Sequence, residues 1–295
     1  MFSVIIPLYN KAKYIKKTIQ SVLNQTFRNF ELIIINDGST DDSLQIVENI
    51  SDNRTRIINK PNGGVSSARN LGIKIARYNY IALLDADDLW MPNYLEEMYN
   101  MIHLYPNDSF FGSNFLFIKN ELIIKSKVQV NLEAGKCGYI DYYESFYKAK
   151  YSPICSSAVV FNKRLFNQFK FRENLKSGED ILLWMQFALH NKLVYLNIEL
   201  AYYNHDVDVL SRALGKLYKK ENTYLFFLDE FEEEAQINLR LKHLIDFLRS
   251  TNLKPYISLY PDEVKSILSK VSKLDFIHWI YYHLPSFILK HLYKR

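Results

Sequence analysis

The sequence predicts an α/β fold: a mainly parallel sheet with helices on both faces, followed by a helical C-terminal extension. Three observations predict it. Short apolar, β-branched runs alternate with amphipathic stretches at strand–helix–strand spacing through the first hundred residues. Those runs show no polar–apolar alternation, which is how strands covered on both faces read. After residue 207 strand-like runs cease and helical spacing takes over.

The elements follow in order. Residues 3–8 (SVIIPL) form a buried strand, and residues 11–24 carry Tyr14, Ile15, Ile19, Val22 and Leu23 at helical spacing. Residues 31–35 (ELIII) are a second strand, closed by the turn Asn36-Asp37-Gly38-Ser39-Thr40. A helix over 42–50 opens with acidic residues at its positive end. A short strand spans 56–59, a glycine loop 61–64 and a helix 66–76. Residues 80–84 (YIALL) are a fourth strand, ending in Asp85-Ala86-Asp87-Asp88. From 108 to 205 the pattern is mixed: strands over 109–118, 122–130 and 155–161, helices over 139–148 and 178–190, and an extended run over 193–203. Helices are expected over 216–234, 236–250, 261–268 and 276–292. This divides the chain into an α/β domain over 1–215, with one half to about 105 and another over 106–215, and a helical extension over 216–295.

Composition excludes several classes. The chain has 295 residues, 48% hydrophobic and 23% charged, which is enough apolar surface for a packed core and excludes general disorder. The net charge of +5 falls short of a nucleic-acid-binding signature, and no nucleic-acid partner is expected. Residues 254–295 hold seven Lys/Arg against three Asp/Glu, so nearly all of the excess lies in the tail. Two cysteines, Cys137 and Cys155, make no disulfide framework. No signal peptide and no run of about 18 apolar residues is read, so a cytoplasmic location is expected.

The polar clusters fall at the carboxyl ends of the expected strands, where open α/β sheets bind ligands. The first loop, Pro7-Leu8-Tyr9-Asn10, has no glycine, which argues against a dinucleotide-binding turn or a P-loop. Asp85, Asp87 and Asp88 repel one another unless donors or a cation compensate. Hard divalent ions suit such a cluster, taking one or two carboxylates plus substrate phosphates. Helix capping by Asp88 is the competing reading. Asp37 can accept a base N–H, with Tyr9 offering a ring to the same base, or it can simply cap its own turn. Asn62-Gly63-Gly64 allows close backbone approach, and Arg69 supplies a fork suited to phosphate, unless it is an exposed helical arginine. Glu179 and Asp180 open a helix, where a carboxylate stays ionised and can act as general base or merely stabilise the first turn. His205 is either a metal or phosphate contact or a surface histidine at a strand end.

Together and in order, SVIIPLYN, ELIIINDGSTDDS, NGGVSSARNLGI, YIALLDADDLW and GED followed by LLW resemble the family 2 glycosyltransferases of GT-A fold, over roughly residues 2–215. The resemblance implies an inverting enzyme that moves a sugar from a nucleoside diphosphate, UDP by analogy, to a hydroxyl of a glycan or polyprenyl-diphosphate-linked acceptor. It implies a base and ribose pocket of Pro7, Tyr9 and Asp37 with Arg69 nearby. It implies that Asp85 contacts the ribose or diphosphate and that Asp87 holds Mn²⁺ or Mg²⁺, with His205 as a further ligand. Asp180 is the implied base and Glu179 the fallback, and the Ser211-Arg212 loop is matched to a region covering the donor. A polyprenyl-phosphate sugar synthase and a non-catalytic partner in a glycan assembly complex are the alternatives. The aromatic, basic tail suggests a membrane interface on the inner face of the cell membrane, or packing on protein, including a second subunit.

Overall fold

The computed structural model describes residues 1–206 and 219–292. Two compact units are resolved. One holds Met1–Glu173 and the chain from Leu183 to the end of the last strand. The other holds Asn174–Leu182 and the described chain from residue 219 onward.

The first unit is built on one sheet of ten strands among the described residues: β1 Phe2–Leu8, β2 Phe30–Asn36, β3 Thr55–Asn59, β4 Tyr80–Leu83, β5 Leu89–Trp90, β6 Phe110–Lys119, β7 Leu122–Lys125, β8 Cys137–Ile140, β9 Val159–Asn162 and β10 Leu193–Asn204. The order along the sheet is β3-β2-β1-β4-β9-β6-β10-β5, with β7 on β6 and β8 on β10. β1 pairs in parallel with both β2 and β4, β2 with β3, and β6 with β10, while β9 enters antiparallel between β4 and β6. β1 and β2 are buried along their whole length, as mostly apolar runs covered on both faces require, and the polar Ser3 within β1 donates to Glu31 within β2 at 2.7 Å.

Pro7 sits inside β1 where its missing N–H does least harm. Ile5 accepts its last bond from Leu84 on the β4 side, and Leu8 accepts from Asp37 on the β2 side. Residues alternate sides along a strand, so Pro7 faces β4 just past Leu83, where that strand has ended.

Several expected elements differ. No helix begins at Leu89: Leu89–Trp90 is a short strand on β10, and the next helix, Tyr94–Leu104, starts after Asn93. The expected strand over 122–130 stops at Lys125, where its pairing with β6 ends at Leu116, and the next side chain, Ser126, donates its hydroxyl to Asn114 Oδ1 at 2.7 Å. Residues 137–140 form a strand, and the helix starts at Tyr142, with Asp141 accepting the Glu144 N–H at 2.8 Å. The strand expected from Cys155 begins with a 3₁₀ turn, Ser156–Ala158, and only Val159–Asn162 is extended.

In the second unit the helix expected over 216–234 is replaced, from residue 219 on, by 3₁₀ segments Lys220–Asn222 and Tyr224–Phe231 and a short helix Glu232–Ile237. Leu225, Leu228 and Phe231 are the buried side, a period of three in which a 3₁₀ helix aligns its side chains. The helix expected over 276–292 breaks into Phe276–His283 and Ser286–Leu292 at Pro285, which lacks an N–H and disfavours helix at the residue before it. Pro261–Leu268 forms as expected, and Leu239–Asn252 is the longest helix of the unit.

Candidate active site

The ends of β1, β2 and β4 and the start of the helix Val65–Ile75 converge at the carboxyl edge of the parallel strands. The loops after β1 and β2 are tied to each other. Asn10, at φ 51°, accepts the Thr40 N–H at 2.8 Å and donates its own N–H to Ser39 Oγ at 3.2 Å. The Lys11 N–H donates to Ser43 Oγ at 2.8 Å. Tyr9 projects from this joined rim with 46% of its surface exposed.

Asp37 is buried, and its carboxylate is turned onto the glycine loop. It accepts the Gly63 and Gly64 N–H groups at 2.9 and 2.7 Å and pairs with Lys60 Nζ at 2.5 Å. Gly64 makes this possible at φ +91° and ψ 166°, a backbone region open essentially to glycine alone. The helix that follows carries Arg69, which is no exposed arginine. Its guanidinium is buried, donates to Asp85 Oδ1 at 2.7 Å and lies 5.1 Å from the centre of the Phe171 ring.

The acidic cluster is divided by function. Asp85 faces Arg69 with a quarter of its side chain exposed. Asp87 pairs with Lys11 Nζ at 2.7 Å. Burial pushes the Asp87 carboxyl up, Lys11 opposes this, and the Asp85 charge adds to the rise. Asp88 caps nothing. It is fully enclosed, accepting the Ser157 hydroxyl at 2.5 Å and the Asn204 N–H at 2.8 Å. Burial first, then the charges of Asp87 and Asp85, hold it well above the usual carboxylate range. The Ser157 hydroxyl also accepts the Asp85 N–H at 3.0 Å.

His205 follows β10. Its N–H donates to the Ile118 carbonyl at 2.7 Å, and its ring packs edge-on against Phe117 and Tyr203, with centroids 4.6 and 4.9 Å away. The next residue, Asp206, accepts the N–H groups of Asn120 and Glu121 in the β6–β7 turn. Ser211 and Arg212 lie outside the described residues. Glu179 and Asp180 open the helix Glu179–His190 and belong to the second unit. Asp180 Oδ1 accepts the Ile181 N–H at 2.8 Å.

Among the described residues no group of three or more His, Cys, Asp and Glu side chains is arranged to hold a metal ion. Mg²⁺ and Mn²⁺ do not need one when phosphate and water complete the shell. Asp85 and Asp87 supply hard oxygen donors at a strand end, Asp85 pairing with Arg69 through Oδ1 and Asp87 with Lys11 through Oδ2, so these residues fit such an ion.

The family model described as glycosyl transferase family 2 matches residues 3–168, which include Tyr9, Lys11, Asp37, the glycine loop, Arg69, Asp85, Asp87, Asp88 and Ser157, while Phe171, the Glu179-Asp180 pair and the end of β10 with His205 lie beyond it. The chain belongs to glycosyl transferase family 2. An uncharacterized glycosyltransferase of Rickettsia bellii is 37% identical over 211 residues, covering 68% of this chain and 28% of its own. Glycosyltransferase GlyA of Streptococcus pneumoniae is 32% identical over 219 residues, covering 72% of this chain and 31% of its own. The chain thus spans about a third or less of the length of these two family 2 relatives. An uncharacterized glycosyltransferase of Haemophilus influenzae matches end to end, at 26% identity over 98% of this chain and 93% of its own. Among solved structures, Staphylococcus aureus TarS residues 1–349 in complex with UDP-GlcNAc has a TM-score of 0.71 at 21% identity, over 92% of this chain and 81% of that one. A mannosyltransferase from Pyrobaculum calidifontis in complex with GDP-Man and Mn²⁺ has a TM-score of 0.57 at 14% identity, over 98% and 77%. These likenesses establish the GT-A fold for this family 2 member.

Three residues of the cluster escape a reading of motifs: Lys11, Lys60 and Ser157. Lys11 carried a usable signal, since it follows Tyr9-Asn10 directly and puts a cation at the strand end beside the acidic one. Ser157 carried none.

Proposed function

We propose that this chain transfers a sugar from a nucleoside diphosphate donor, UDP in the first place, to a hydroxyl of a glycan or polyprenyl-diphosphate-linked acceptor, with inversion at the anomeric carbon. The observation that carries the reading is the pair Asp85 and Asp87, each held on its own cation, Arg69 and Lys11, at the carboxyl edge of the parallel strands. Pro7, Tyr9 and Asp37 line the base and ribose pocket, Asp37 by holding the glycine loop and Tyr9 by its exposed ring. Arg69 and Asp85 face the ribose and diphosphate. Asp87 would hold Mn²⁺ or Mg²⁺, with His205 as a further ligand. When bound, the ion offsets charge on the departing diphosphate. Asp180 takes the proton of the acceptor hydroxyl, with Glu179 as the fallback. That oxygen bonds to the anomeric carbon as the carbon–phosphate-oxygen bond breaks, and the nucleoside diphosphate leaves with the electron pair.

The acceptor is proposed to reside on or near a lipid surface. Ile277, Trp279 and Phe287 are 57, 50 and 67% exposed on the last two helices of a tail that carries a net charge of +4 over residues 254–295. Apolar and aromatic groups beside basic ones suit an anionic bilayer surface. No helix of the described residues is long and apolar enough to cross a membrane.

A donor panel read by nucleotide release, with Mn²⁺ present and then chelated, tests the reading. Metal-dependent release from one UDP-sugar is the expected result. An absence of both release and metal-dependent UDP binding would favour a non-catalytic partner. Asp180→Asn is expected to lower turnover by about 10²–10⁴-fold, the usual contribution of a positioned base, while UDP still binds. Full activity in that variant would falsify the assignment of Asp180.

A further inference from the structure

The stretch Asn174–Leu182, which carries Glu179 and Asp180, clusters with the C-terminal chain and not with the strands. The reason is a set of backbone bonds within that unit. The N–H groups of Lys176 and Ser177 both donate to the Asn222 carbonyl, at 2.8 and 3.2 Å. The Tyr224 N–H donates back to the Ser177 carbonyl at 3.3 Å, and Ser177 and Thr223 form a parallel bridge. Asn174 Nδ2 donates to the Glu221 carbonyl at 3.0 Å. Residues 221–224, between and within two 3₁₀ segments, are therefore bonded along 174–177 through the single bridge at Thr223 and the hydrogen bonds around it.

The side chain of Tyr224 continues this contact one residue further. Gly178 has φ +72°, and a Cβ there would overlap Tyr224 Cδ1 and stand 2.6 Å from Cε1. The buried ring thus lies directly against the backbone of Gly178, the residue immediately before Glu179 and Asp180. Burial, and after it the negative charge of Asp180, push the Tyr224 hydroxyl well above its ordinary value. The phenol stays protonated, and its environment includes the Asp180 carboxylate.

We propose that Tyr224 is a positioning residue for Asp180. Its ring, wedged against Gly178, and the backbone bridge at Ser177 set the first turn of the helix Glu179–His190, so the C-terminal unit supplies the support of the base. The proposal rests on Asp180 being the base. It makes the C-terminal chain a working part of the transferase, distinct from any role in docking to lipid.

The full-length chain tests this with Tyr224→Leu, Tyr224→Phe, Asp180→Asn and the double variant Tyr224→Leu/Asp180→Asn. UDP with Mn²⁺ is the binding probe, and the UDP-sugar selected by the donor panel is the turnover probe. Tyr224→Leu should lower turnover at least tenfold with UDP affinity within twofold of the parent. Tyr224→Phe, which keeps the ring, should restore turnover to within about threefold. In the Asp180→Asn background Tyr224→Leu should add no further loss, because two residues acting as one unit are not additive. Parent-like turnover in Tyr224→Leu overturns the proposal, as does a loss of UDP affinity in step with turnover, or full additivity with Asp180→Asn. If Asp180→Asn is itself fully active, the base assignment has failed. If Asp180→Asn is inactive and Tyr224→Leu is parent-like, only the positioning role has.

Discussion

Ser157 shows how much one hydroxyl can organise. It accepts the Asp85 N–H, donates to Asp88, and its own carbonyl accepts the Trp90 indole N–H at 2.7 Å. Asp88 in turn holds the Asn204 N–H, next to His205. The end of β4, the 3₁₀ turn before β9 and the end of β10 are thereby joined through one serine and one enclosed carboxylate. The position of Asp85, whose carboxylate pairs with Arg69, thus depends on a serine 72 positions away and on the enclosed carboxylate that this serine holds. Ser157→Ala leaves a partly buried N–H and a buried carboxylate oxygen each short of a partner, a loss of about 1–3 kcal/mol. The expected outcome is a lower melting temperature together with a several-fold weaker affinity for UDP in Mn²⁺, both measurable by calorimetry. A Ser157→Ala protein matching the parent in both would show that the hydroxyl is dispensable to the loop.

At the scale of elements, the glycine loop and the helix Val65–Ile75 form one device. Gly64 holds a backbone conformation that costs about 1–3 kcal/mol for any other residue, and its N–H anchors to Asp37. Arg69 lies little more than a helical turn further on, so the register of the helix start decides whether its fork reaches Asp85. Gly64→Ala is therefore expected to destabilise the fold by about 1–3 kcal/mol in urea titration and to weaken UDP binding. Unchanged UDP affinity in a destabilised Gly64→Ala protein would separate the loop from the donor pocket. The strands that carry this device were legible because β1, β2 and β4 are mostly apolar, β-branched-rich runs without polar alternation, and the order of strands and helices alone puts Asp37, Arg69 and Asp85 at one edge. Their partners were not. Lys11 meets Asp87 across 76 positions and Ser157 meets the Asp85 N–H across 72, pairings made by sheet order, which periodicity does not encode. β8 was hidden for a related reason: Cys137-Gly138-Tyr139 has no strand signature and is extended because it pairs with β10. The Asp141–Glu144 cap, by contrast, was a readable helix start. The segment Tyr224–Phe231 misled because its burial repeats every three residues.

At the scale of the whole molecule, +4 of the net charge of +5 falls within residues 254–295, the same stretch that carries the exposed Trp279 and Phe287. A tail that served only as packing would bury Trp279 and Phe287. Here both are half exposed or more, and neighbouring Lys273 and Lys290 are exposed as well. Anionic lipid attracts each basic residue near its surface by about 1 kcal/mol, an attraction that falls off within a Debye length. Binding to phosphatidylglycerol vesicles should therefore exceed binding to phosphatidylcholine vesicles and should weaken as salt rises. Replacing Trp279 and Phe287 by serine in the full-length chain should reduce flotation with phosphatidylglycerol vesicles several-fold while leaving metal-dependent UDP binding at the parent level, because neither side chain belongs to the donor pocket. Equal flotation of parent and variant would remove the aromatic groups from the contact. A parent that fails to float at low salt but sediments as a dimer would assign the exposed face to a second copy of the chain.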